Sequence, residues 1–149
     1  MKKMQYKVAI NAPVEKVFQT MLGRDSYRQW TAEFNPTSDF EGGWNKGDKI
    51  RFIGINKEGK KEGMVAEIAD HIPNRFISIR HYGMLDGDQE ITEGPAVASW
   101  AGALENYAFE EKEGVTTVTV EVDTNQEYLD YFNDTWPKAL NKLKEISED

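Results

Sequence analysis

Two acid–base side chains stand among apolar neighbours in this sequence, and they raise the first chemical question. Read as strand residues, Glu105 shares a face with Tyr107 and Phe109, and His81 shares one with Ile77 and Ile79. A carboxylate on an apolar face is costly unless it is paired or solvated. Either Glu105 is neutralised by an arginine or lysine of an adjacent strand, or it is a polar anchor on a cavity wall; the sequence leaves both open. His81 reads as a structural histidine or as a ligand contact, and His71, beside Pro73 at a strand end, as an exposed one. Brought together, His81 and Glu105 would form the one general acid–base pair the chain offers.

Other chemistry has no foothold in the spacing. There is no Gly-Xaa-Ser-Xaa-Gly, no His-Glu-Xaa-Xaa-His and no phosphate loop. With no cysteine and two histidines, neither a thiol nucleophile nor a metal site is expected, and no cofactor is implied. Asp86-Gly-Asp88 with Glu90 and Glu93 has some of the residues of a calcium loop but not its twelve-residue spacing, and reads as a solvated acidic loop. An aromatic set, Trp30, Phe34, Tyr107, Phe132 and Trp136, comes from three separate segments. It reads as core packing or, where a pocket exists, as the pocket's walls.

The elements that must position these residues follow from periodicity. From Asn125 to Ser147 the apolar residues Leu129, Phe132, Trp136, Ala139, Leu140, Leu143 and Ile146 recur at helical spacing. Pro137 interrupts this helix, but the stripe keeps its phase, so one bent helix is expected. At the other end, Tyr6, Val8 and Ile10 alternate as a strand. Asn11-Ala-Pro13 then starts a helix ending at Gly23, and a second short helix from Asp25 carries Tyr27, Trp30 and Phe34.

Between these ends the period is two, with strands expected at Ser38–Glu41, Lys49–Ile55, Gly63–Ile72, Arg75–Tyr82, Ala103–Glu111 and Val115–Asp123. Short turns join them, so neighbours run antiparallel. Gly83 to Gly102 reads as one long loop, functional or mobile, with Trp100 placed to cover a pocket mouth. The predicted order, strand, two helices, six strands and long helix, makes an α+β domain. Its curved seven-strand antiparallel sheet would grip the C-terminal helix, leaving a wedge between them.

At 149 residues, the chain is expected to form one domain spanning 1–149. The net charge of −8 argues against nucleic acid and anionic membrane as partners. The absence of an apolar run of membrane-spanning length, of a signal-peptide core and of cysteine makes a cytoplasmic location the expectation.

Four stretches carry a resemblance: Asn11-Ala-Pro-Val-Glu-Lys-Val-Phe18, Gly43-Trp-Asn-Lys-Gly-Asp-Lys-Ile-Arg-Phe52, Trp100-Ala-Gly-Ala-Leu-Glu-Asn-Tyr107 and Trp136-Pro-Lys-Ala-Leu140. In that order they resemble the SRPBCC (START and birch-pollen-allergen) superfamily, and within it the bacterial branch related to the activator of heat-shock-protein-90 ATPase. The resemblance implies a helix-grip fold with an internal cavity for an apolar ligand, and no particular reaction. The ligand contacts expected are Trp30, Phe34, His81, Trp100, Glu105, Tyr107, Phe132 and Trp136. A small apolar or aromatic ligand is the leading expectation, a chaperone partner the alternative, and a cyclase- or hydratase-type enzyme the third.

Overall fold

Period-two alternation and period-three-to-four stripes become the elements they imply. A computed structural model describes residues 1–149. Strand β1 (Lys2–Ile10) leads into α1 (Val14–Leu22), then α2 (Arg24–Trp30) and a 3-10 turn (Thr31–Glu33). Then come β2 (Asp39–Gly42), β3 (Lys49–Ile55), β4 (Lys61–Ile72), β5 (Phe76–Asp86), β6 (Gln89–Ile91) and the short α3 (Pro95–Ala98). Strands β7 (Ala103–Lys112) and β8 (Val115–Thr124), a second 3-10 turn (Gln126–Tyr128) and α4 (Leu129–Glu148) complete the chain.

All the strand pairs are antiparallel, in the order β1-β8-β7-β5-β4-β3-β2, with β6 added to β5. This is the helix-grip architecture: seven strands form the gripping path, and β6 is an eighth, short one. Two register shifts between β4 and β5, at Val65/Ala66 and Ile68/Asp70, insert the bulges that bend a sheet around a helix. Gly63 makes the same curvature feasible on β4. Its φ is +150°, and a Cβ there would lie 1.8 Å from the Phe52 carbonyl oxygen.

Helix α4 lies across the gripped face, packing on β1, α1 and α2. It runs unbroken through Pro137, but starts at Leu129 rather than Asn125, because the intervening residues form the 3-10 turn. The main core gathers one face of the strands (Ile50, Ala66, Ile68, Ile77, Ile79, Tyr107, Val118, Val120) against Phe18, Met21, Trp30, Trp136, Leu140 and Leu143.

The stretch Gly83 to Gly102 is not the long loop the sequence suggests. Its first four residues extend β5, Gln89–Ile91 pair back onto that strand, and Pro95 opens α3. Val65, Leu85 and Val97 are fully or almost fully buried yet stand outside the main core. Val65 alternates with Ala66, which faces the helix, so this stretch supplies a small second core on the sheet's outer face. A three-residue strand and a one-turn helix are too short to show a period, which is why the sequence hides them. Three of the four acidic residues here also meet cations, while Glu93 is exposed. Asp86 pairs with Lys60, Asp88 with Lys61, and Glu90 with Lys49 and Arg51.

Candidate functional site

The register of β5 against β7 sets the central geometry. His81 lies opposite Ala103, and Glu105 opposite Ile79, so His81 and Glu105 share a face one diagonal step apart. His81 Nε2 lies 3.0 Å from Glu105 Oε1. Tyr107, two residues along the same face, donates its hydroxyl proton to Glu105 Oε2. Glu105 therefore has neither the arginine nor the lysine partner that was one of its two readings. Its partners are an imidazole and a phenol. His81 is 8 % exposed, Tyr107 1 %, and the Glu105 side chain 20 %.

The electrostatics follow from this burial. Desolvation, and then the charge of Glu105, hold the Tyr107 phenol well above its ordinary pKa, so it stays a proton donor. The Tyr27 phenol is raised for the same two reasons in the same order. An ionised carboxylate only accepts, so neutral His81 carries its proton on Nε2 and leaves Nδ1 as an acceptor. That Nδ1 atom is buried and has no hydrogen-bond partner, as do the indole nitrogens of Trp44 and Trp136.

Aromatic rings surround the three polar side chains. Trp30 lies 6.4 Å from Tyr107 and 6.0 Å from Trp136, ring centre to ring centre, and Trp136 is 6.3 Å from Tyr107. Phe34 meets Trp136 edge-on at 4.9 Å. Phe52 covers His81 at 5.7 Å and continues to Trp44 at 5.8 Å and Tyr27 at 6.1 Å. Of the residues singled out from sequence, Trp30, Phe34, Tyr107 and Trp136 thus form one contiguous cluster, joined through Tyr107 to Glu105 and His81.

Phe132, half-buried at the helix start, is linked to the cluster through Tyr131, whose ring centre lies 5.7 Å from its own and 6.2 Å from that of Phe34. One residue stays outside. Trp100 stacks on no aromatic ring, and its indole donates to Ala96 within its own turn. His71 is not simply exposed: it is half-buried, edge-on to Phe18, with Nδ1 2.6 Å from the Trp44 carbonyl oxygen.

Trp44, Phe52 and Tyr27 escape the sequence reading as site residues. Trp44 sits in a glycine turn without periodicity. Phe52 is placed by pairing with Phe40 and Met64. The available signal was Tyr27, one helical turn before Trp30. Beyond Phe34, an open cleft of about 430 Å³ runs between Asn35–Thr37 and Ile55–Lys57. A polar hollow of about 300 Å³ over Lys7, Thr117 and Thr119 touches none of the candidate residues. No three His, Asp or Glu side chains are grouped as metal ligands would be, and no helix is long and apolar enough to cross a membrane.

Known folds place this architecture. The Aha1 dimer from Colwellia psychrerythraea superposes with a TM-score of 0.73 at 22% identity, covering 99% of this chain and 97% of that one. Protein NE0264 from Nitrosomonas europaea gives a TM-score of 0.74 at 14% identity, covering 97% and 93%. Protein Ms6760 from Mycobacterium smegmatis gives 0.71 at 16%, covering 97% and 89%. At these identities the likeness shows the fold alone. A search of curated proteins finds no match. Residues 11–148 match the activator of Hsp90 ATPase homolog 1-like proteins, and with almost its whole length covered the chain belongs to that family.

Proposed function

We propose that this protein binds a small apolar or aromatic molecule between the sheet and the first half of α4, with the Tyr107–Glu105–His81 group as its polar anchor. One observation carries the reading: a carboxylate sits among buried aromatics with no cation beside it, held only by an imidazole and a phenol. Such a group lowers stability relative to apolar packing, so its presence is better explained by use than by folding. Ala103, opposite His81 in the register and buried, is the residue to enlarge. A hydrophobic fluorescent probe should bind with a stoichiometry near one, and Ala103→Phe should weaken it while the protein remains folded. Surface binding without saturation, unchanged in that variant, would sink the reading. Native mass spectrometry of the freshly purified protein would show a retained ligand directly.

A second reading has its own support. Tyr128 and Tyr131 are 51% and 45% exposed beside half-buried Phe132 and Phe34, an aromatic surface at the open end of α4. The family's name attaches its members to a chaperone ATPase. In this reading the patch docks on an Hsp90-type chaperone. A Tyr128→Ala, Tyr131→Ala double variant should then lose stimulation of the chaperone's ATPase; stimulation at the parent level would exclude the patch.

A further inference from the structure

We infer that the ligand is an uncharged aromatic or alicyclic molecule bearing a hydroxyl group, whose proton is donated to His81 Nδ1; this rests on the small-molecule reading above. The argument starts from the orientation that Glu105 imposes. Its two oxygens are taken by Tyr107 and by His81 Nε2, so the carboxylate is already satisfied by two donors. The acceptor left over is Nδ1, buried and unpaired. A buried acceptor without a partner is destabilising, and a ligand hydrogen-bond donor removes that cost.

The surroundings narrow the donor's class. His81 stands between Ala66 and Ala103 in the sheet register, so its lateral neighbours project a single carbon each. The β5 bulge at Val65/Ala66 adjoins it, a feature that commonly re-aims a side chain beside a site. Phe52 covers the imidazole, and the same ring touches Trp44, whose buried indole N–H lacks an acceptor. One unpaired acceptor and one unpaired donor therefore flank a single aromatic ring. A hydroxyl on an apolar ring frame is the smallest group that supplies the donor Nδ1 lacks. An anionic ligand is disfavoured, because Glu105 would hold a second negative charge nearby in an apolar site. A pure hydrocarbon would leave Nδ1 unpaired.

Calorimetric titration at pH 8 with 1-naphthol, 1-methylnaphthalene and 1-naphthoate tests this with probes of matched size. The expected order is 1-naphthol tightest, 1-methylnaphthalene about three- to tenfold weaker, as the net worth of one hydrogen bond implies, and 1-naphthoate weakest. His81→Phe should erase the advantage of 1-naphthol and retain 1-methylnaphthalene. In Glu105→Gln, the introduced amide oxygen accepts from Tyr107 and its NH₂ faces His81 Nε2. The imidazole proton then moves to Nδ1, and preference should shift to 1-methoxynaphthalene, which only accepts.

Nitrogen-15 NMR of the unaltered protein reads the tautomer directly, whatever the variants do to folding. A proton on Nδ1 overturns the inference. So does equal affinity for 1-naphthol and 1-methylnaphthalene, which would leave the small-molecule reading standing. Failure of all three probes to bind overturns that reading, and this inference with it.

Discussion

The two halves of α4 lie on the same sheet yet differ in almost every physical respect. After Pro137 the helix buries Ala139, Leu140, Leu143 and Ser147 completely or nearly so, and Glu148 accepts from the Asn11 backbone N–H. That half is aliphatic, closed and bound to the chain's other end. Before Pro137 the helix presents aromatics, Trp136 buried, Phe132 half-buried and Tyr131 about half exposed, with half-exposed Tyr128 in the 3-10 turn just ahead of it. Aliphatic close packing makes a rigid seal, whereas flat aromatic rings at a partly open end leave surface for a ligand or a partner. The difference puts the closed aliphatic packing on one side of Pro137 and the open aromatic surface on the other.

The sharpest way to break that comparison is at its boundary. Trp136 touches Tyr6, Trp30, Phe34 and Tyr107. Trp136→Ala should therefore cost about 3–5 kcal/mol in urea denaturation. A loss under about 1 kcal/mol would mean that the aromatic half is loosely packed even at its centre.

Next in size is a matched pair of truncations. Leu143→Ala should cost about 2–5 kcal/mol and leave hydrophobic-probe affinity unchanged. Phe132→Ala, half-buried, should cost less than that and weaken the probe. Equal stability losses with equal effects on binding would erase the division between the halves.

A smaller effect concerns how α2, which carries Trp30, is held on the sheet edge. Arg28 and Arg24 both reach Asp39 of β2, at 2.9 and 3.3 Å. Burial alone would raise the Asp39 pKa, but hydrogen bonds from Arg28, Arg24 and the Phe40 backbone outweigh it and bring the value down to about 2. A carboxyl held below its unfolded value stabilises the fold fully above that value, and the contribution is lost as pH falls through about 2. Asp39→Asn should thus cost about 1 kcal/mol at pH 7, less in high salt because the arginines are half exposed. The difference from the parent should shrink as pH falls toward the folded value and vanish only below about 2. A difference that persists there would point to packing rather than charge.

Smallest of all, Tyr131→Phe removes only a hydroxyl that donates to the Phe34 carbonyl at 3.2 Å in an exposed setting. The thermal midpoint should move by an amount corresponding to about 0.5 kcal/mol or less. A larger shift would show that the open end is more tightly braced than its exposure implies.

Much of the scaffold was legible before any coordinates. Strand β3 falls on Lys49–Ile55 as its alternation predicts, and β7 and β8 extend one residue beyond their predicted ends. These strands are half-buried, with period two and turn residues at both ends, so local pattern and tertiary burial agree. The α4 stripe was equally plain. Strand β6 and helix α3 were not, because each is too short to repeat and is held by contact with β5 and the outer core.

The candidate site divides along the same line. Composition and period alone placed Glu105 with Tyr107 on one apolar face, put His81 on another, and marked Trp30, Phe34 and Trp136 as large buried aromatics. They also determined the order of elements and the phase of the long helix through Pro137, since each depends on residues within one or two turns of one another. Only tertiary structure decided that Glu105 meets His81 rather than an arginine, that Trp44 and Phe52 join the cluster, and that Trp100 stays outside it. Those outcomes rest on the β5–β7 register and on bulges in β4–β5. A one-residue slip would turn every side chain to the opposite face, and no local sequence rule fixes that choice across more than twenty intervening residues.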